Sequence, residues 1–135
     1  MGLQLERVVY TSRARGDAEN LLMQVDILAT SQRNNARDGL TGALLIHEGR
    51  FLQVLEGAAQ DIDRLMARLA RDSRHDELVV VERGPIGARR FGDWAMASAR
   101  VTPRLAALLK RTLDGVWTSG ETLDRMEEAA RPQAV

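Results

Sequence analysis

Residues 5–12 alternate in a way that suits an extended chain. Val8, Tyr10 and Ser12 fall on one face and Val9 and Thr11 on the other, and the run is rich in β-formers. The pattern predicts a strand. A turn at Arg15-Gly16 and an N-cap at Asp17 then open a helix that runs to about residue 34. Leu21, Leu22, Val25, Leu28 and Ala29 form its apolar stripe, Asn34-Asn35 its end, and Asp38-Gly39 a firm break. Two strand-like runs follow, 40–47 and 50–56. The two-residue spacer Glu48-Gly49 predicts a tight hairpin, closed by Gly57. Ile62, Leu65, Met66 and Leu69 recur at helical spacing and predict a second helix over 60–71. The short, largely β-branched run 78–81 predicts a buried strand, and 94–101 a last one in which Trp94, Met96 and Ser98 share a face.

The resulting order, β-α-β-β-α-β-β, is that of an α+β, ferredoxin-like sheet with both helices on one side. Beyond it, Thr102-Pro103 starts a helix over 103–113, with Leu105, Leu108, Leu109 and Leu113 facing inward and Gly115 ending it. The spacing Thr118 to Glu121 fits a capping box for a last helix over 118–130, carrying Leu123 and Met126. The chain therefore divides into a sheet domain, 1–101, and a helical extension, 102–135, expected to pack as one structural unit. Two amphipathic helices after a complete sheet need a surface to cover, and the helix-free face of the sheet offers one.

Composition narrows what such a fold can do. The chain has 135 residues, 44% hydrophobic and 28% charged, with nineteen basic and nineteen acidic side chains. A net charge of zero and 4% aromatics argue against nucleic-acid or anionic-membrane binding. Absence of cysteine excludes disulfides, thiolate nucleophiles and cysteine metal sites, and fits a cytoplasmic protein. No stretch reaches the roughly 18 apolar residues of a membrane span. Two histidines, His47 and His75, are too few for a histidine metal site, and no Ser-His-Asp spacing is present. An acylphosphatase-like enzyme on this fold would need an anion loop, yet residues 13–17 form a short, moderately basic connection. An enzyme is not expected.

Three residues stand out against this background. Gln53 lies mid-strand with Phe51 and Leu55 on its own face, so burial would demand partners for its amide. An unsatisfied buried amide costs about 1–3 kcal/mol. Tyr10 is the single tyrosine, and its hydroxyl has the same need if buried. Asn34-Asn35 could act as a plain helix terminator, or one amide could present a donor and an acceptor to a planar heterocycle.

Taken together, the segments are specific. Tyr10-Thr-Ser12-Arg-Ala14, Asn34-Asn35-Ala-Arg-Asp-Gly-Leu-Thr41-Gly42, Phe51-Leu-Gln53-Val-Leu-Glu56-Gly57, Asp72-Ser-Arg74-His75 and Arg90-Phe91-Gly-Asp-Trp94-Ala-Met96 resemble the BLUF family of flavin-based blue-light sensors in order and spacing. The resemblance implies a ferredoxin-like domain holding FAD, or FMN, between its two helices. It implies Tyr10 and Gln53 as the photoactive pair, with Trp94 and Met96 beside the glutamine. It further implies Tyr10, Ser12, Asn34, Asn35, Gln53, Asp72, Arg74 and His75 as contacts of the cofactor, and no metal. A phenol supplies an electron and a proton to an excited flavin, and a glutamine amide bridges the two by donating at one end and accepting at the other. The expected signal passes through the last strand and the C-terminal helices to a protein partner, because about 35 residues follow the sheet and none reads as an effector domain. Self-association is expected of such amphipathic tails. The competing expectation is a flavin-binding interaction module that does not respond to light.

Overall fold

A computed structural model describes residues 4–15, 21–73, 75–92 and 94–130, the side chains of 21–24 excepted. Nine elements follow in order: β1 (Leu5–Ala14), α1 (Leu21–Asp38), β2 (Thr41–His47), β3 (Arg50–Ala58), α2 (Ala59–Ala70), β4 (His75–Pro85), β5 (Ala97–Ser98), α3 (Pro103–Leu113) and α4 (Ser119–Ala130). The expected Gly16 turn, the Asp17 cap, the stripe positions Leu21 and Leu22, Arg74 and the C-terminal tail fall outside the described residues or side chains.

The sheet has the order β4-β1-β3-β2-β5. β1 and β3 are its centre, paired antiparallel with each other, and β5 joins the far edge parallel to β2. Strand alternation sends one set of side chains to each face. Val8, Tyr10, Leu44, Phe51 and Leu55 meet Ile62, with Leu28, Leu65, Met66 and Leu69 packed around them, so α1 and α2 cover this face. Val9, Ala43, Leu45, Leu52 and Val54 meet Leu105, Leu109, Leu123 and Met126 of α3 and α4 on the other. The ferredoxin-like α+β fold and the C-terminal helical pair are both present, and the pair lies on the face that α1 and α2 leave bare.

Local chemistry explains the turns. Glu48 and Gly49 both adopt positive φ, 49° and 77°, as a two-residue hairpin matching the sheet's twist requires. Gly39 has φ 69°, and the Leu40 amide bonds the Asn35 carbonyl at 2.9 Å, a C-terminal motif that stops α1. Thr102 caps α3 by accepting from the Leu105 amide at 3.1 Å, with proline at the first turn.

Several expectations are corrected. The first helix continues through Asn34-Asn35 to Asp38, because Gly39 and not asparagine supplies the left-handed stop. Its Val25 is 57% exposed, and Ile27 joins the expected Leu28 on the inward stripe in its place. Gly57 lies within β3 and does not close the hairpin. The run 78–81 belongs to an eleven-residue edge strand, and Val79 and Val80 are 54% and 45% exposed. β-branched residues suit an edge as well as a centre, and only β1 flanks β4. The last strand shrinks from 94–101 to Ala97–Ser98. In α3 the inward positions are 105, 108, 109 and 112, so Leu113 turns outward. Glu121, in the first turn of α4, pairs with Arg104 at 2.8 Å.

Candidate functional site

Tyr10 and Gln53 are register partners on the two central strands, so their side chains stand side by side on the α1–α2 face. Both are buried, and the Tyr10 hydroxyl donates to Gln53 Oε1. Gln53 Nε2 points to Met96 Sδ at 3.5 Å. The strand geometry thus pairs the two buried polar groups that the sequence left without partners. Burial, and secondarily the charge of Asp72, holds the Tyr10 phenol well above its ordinary titration range. At neutral pH the hydroxyl keeps its proton and donates.

Above this pair a cleft opens between α1 and α2. Two adjoining recesses of about 50 and 200 Å³ share Tyr10, Ser31, Gln53, Leu69 and Asp72 as lining. Ser12 and His75 border the first recess; Asn34, Asn35 and Arg68 border the second. Ile27, Phe51, Leu65 and Leu69 supply apolar wall. Asn35 is buried and donates through Nδ2 to the Ala95 carbonyl at 2.9 Å, while Gln32 Nε2 donates to the Met96 carbonyl at 3.0 Å. Arg68 is held at the rim by Asp38, at 3.0 Å. Its two arginine partners, Arg37 first and Arg68 after it, hold the Asp38 carboxyl down at about 2.

Of the residues singled out from sequence, Tyr10, Ser12, Asn34, Asn35, Gln53, Asp72 and His75 line this one cleft, and Met96 touches Gln53 from the side. Arg74 is outside the described residues. Trp94 does not share a face with Met96. It packs on the opposite side of the sheet, its ring 6.4 Å from that of Phe91 in the α3–α4 core. Residues 94–96 belong to no strand, with a bend at 95–96, so alternation does not apply to them. Sequence reasoning missed Ser31, Ile27 and Arg68. The first two lie one and two turns before Asn34-Asn35 on the same helical stripe, a signal available from spacing alone. Among the described residues no group of three His, Cys, Asp or Glu side chains could hold a metal ion.

A flat heterocycle with apolar faces and a polar edge suits this cleft, which has aliphatic and aromatic walls, amides at one end and a hydrogen-bonded phenol–amide pair on its floor. Fold and cleft together define a small α+β module with a cleft between two helices over its central strands. The family model described as sensors of blue-light using FAD matches residues 5–97, and the chain belongs to that family, BLUF. It is 31% identical over 98 residues to the photoactivated adenylate cyclase subunit beta of Euglena longa, a match covering 72% of this chain and 11% of that protein. The chain spans about a tenth of the length of the curated relatives it matches. Among solved structures, the BLUF protein BlrB in its dark state superposes with a TM-score of 0.71 at 28% identity, covering 96% of both chains. BlsA in its photo-activated state has the same fold, with a TM-score of 0.77 at 22% identity over 97% of this chain and 98% of that one.

Proposed function

We propose that this blue-light sensor holds FAD in the α1–α2 cleft and reads its excitation through Tyr10 and Gln53. The hydrogen bond from the Tyr10 hydroxyl to Gln53 Oε1 at the cleft floor carries this reading. Asn35 and Asn34 offer amides to the polar edge of the ring, Ser12, Asp72 and His75 line the recess beside Tyr10 and Gln53, and Arg74 belongs to the same sequence motif as Asp72 and His75. FAD in preference to FMN follows the family's description.

When bound and excited, the flavin supplies one-electron oxidation. Tyr10 is the electron donor beside it, and its hydroxyl proton has a ready acceptor in Gln53 Oε1. That transfer removes the reason for the amide's present orientation. Rotation exchanges Oε1 and Nε2, breaks the contact with Met96 Sδ and changes what the amide offers at the cleft. As the electron returns, the nitrogen end that now faces Tyr10 gives a proton back to its oxygen, while Oε1 keeps the one it accepted. The rotated, tautomerised amide is left as the record of the event, a two-state element of a few atoms.

The signal leaves through Met96 and the α3–α4 pair to a protein partner in the cytoplasm. Exposed Val79 and Val80 on the open β4 edge favour self-association as well. No described helix is long and apolar enough to cross a membrane.

The test is an absorption spectrum of the protein loaded with FAD, and separately with FMN, in darkness and directly after blue light. A small reversible red shift of the flavin band is expected for wild type and is absent in Tyr10→Phe and Gln53→Ala. A Gln53→Ala variant that shifts normally sinks this mechanism. A flavin-bound wild type whose band never moves identifies a scaffold that does not respond to light.

A further inference from the structure

Glu56 lies on β3, three residues from Gln53 but on the opposite face, and its carboxylate has no solvent exposure. Four donors converge on it. Arg7, its register partner on β1, supplies Nε at 2.9 Å and a second guanidinium nitrogen at 2.8 Å to Oε2. The backbone amides of Arg90 and Phe91 reach Oε2 at 3.1 Å and Oε1 at 2.8 Å. A buried carboxylate held by two main-chain donors and a guanidinium fixes the chain at residues 90–91 to the centre of the sheet.

Two arms leave that fixed point. On one, the Arg90 guanidinium reaches α4, where it pairs with Asp124 and with Glu127 at 3.3 Å. On the other, the chain crosses to the cleft side. Gly42 donates to the Trp94 carbonyl at 3.0 Å, Asn35 to the Ala95 carbonyl at 2.9 Å, and Met96 meets Gln53. Residues 90–92 and 94–96 therefore reach α4 at one end and Gln53 at the other, with their pin on β3.

Resting on the functional reading above, we propose that Glu56 and Arg90 are positioning residues of the light response. Glu56 is the pivot of the 90–96 segment, and Arg90 is the arm that turns a displacement at Met96 into a shift of α4. Neither touches the cleft, so both are separable from the photochemistry. Without a pin, a displaced Met96 would relax into the loop; with one, it alters the contact of Arg90 with Asp124 and Glu127.

The test is hydrogen exchange of the full chain loaded with FAD, lit minus dark, read over residues 119–130 alongside the flavin spectrum. Wild type is expected to show a light-dependent change in α4. Arg90→Ala leaves the Arg90 main-chain amide on Glu56 and is expected to keep the red shift and the dark exchange of β1 and β3, while the α4 response falls several-fold. Glu56→Gln keeps the shape but removes the charge facing Arg7. It is expected to weaken the same response, and the double variant should do no worse than Arg90→Ala. An Arg90→Ala protein with the wild-type α4 response, or a wild type that shifts its spectrum with α4 unchanged, overturns the inference and leaves the functional reading standing. A wild type without any spectral shift overturns both. Should Glu56→Gln not fold, Arg90→Ala decides alone.

Discussion

Tyr10 is the chain's one tyrosine, so its ionisation can be followed in the ultraviolet with no other phenol in the way. Desolvation first, and the Asp72 charge second, hold its proton beyond the ordinary value of 10.0. The folded protein should therefore show no phenolate step through that range. A normal titration in native protein would mean the phenol is not buried as described. The linkage has a definite sign. The native state keeps the proton where an unfolded chain releases it, so this group's stability contribution is complete below about pH 10 and declines as pH rises above it. Asp72→Asn should bring the Tyr10 titration down towards the ordinary value but not to it, since burial remains. At this scale the sequence was informative. An amide amid large apolar neighbours and a solitary phenol each required a partner, and the residues that meet that need are the same two.

Among the elements, β4 and α3 give the sharpest contrasts. Leu52 on β3 is fully buried under α3 and α4, and Leu52→Ala should lower unfolding free energy by about 2–5 kcal/mol in urea titrations. Val80, on the β4 edge, should cost less than about 0.5 kcal/mol as Val80→Ala. Equal losses at the two sites would contradict the edge placement. Thr102→Ala removes the side-chain acceptor for the Leu105 amide and should cost about 1 kcal/mol, read in the same titration. The existence and type of the long elements were legible because their periodicity spans several turns or pleats. The end of α1 was legible only as two competing stops, since Asn34-Asn35 imitate the one that the Asp38-Gly39 break performs. The extent of β5 was not legible, since a bend carries Trp94 to one side of the sheet and Met96 to the other.

For the molecule as a whole, the sheet works as a two-faced partition, with the cleft on one side and the α3–α4 pair on the other. Val9, Leu45, Leu52 and Val54 are buried by that pair. Truncation after residue 101 should expose them as a contiguous apolar patch, raising binding of a hydrophobic dye and driving aggregation. A truncated protein that stays monomeric, dye-free and as stable as the full chain would show that 102–135 is not part of the same structural unit. Trp117 supports the unit from the other edge by donating to Glu82 of β4 at 3.0 Å. Glu56, fully buried, ties the two sides together through Arg90.

By itself the sequence determined the order of elements, the two faces of β1 and β3, the Glu48-Gly49 turn, the N-terminus of α3 and the need of Tyr10 and Gln53 for buried partners. These follow from local rules: side-chain alternation, backbone φ preference, capping, and the demand of buried polar groups for partners. Tertiary structure alone decided which strand lies at an edge and which residues complete the cleft. It also decided that Trp94 and Met96 part across the sheet, and that Glu56 holds residues 90 and 91, thirty-four and thirty-five positions away. Those outcomes depend on contacts between distant segments, whose closeness is set by the packing of the whole sheet and leaves no periodic trace in the chain.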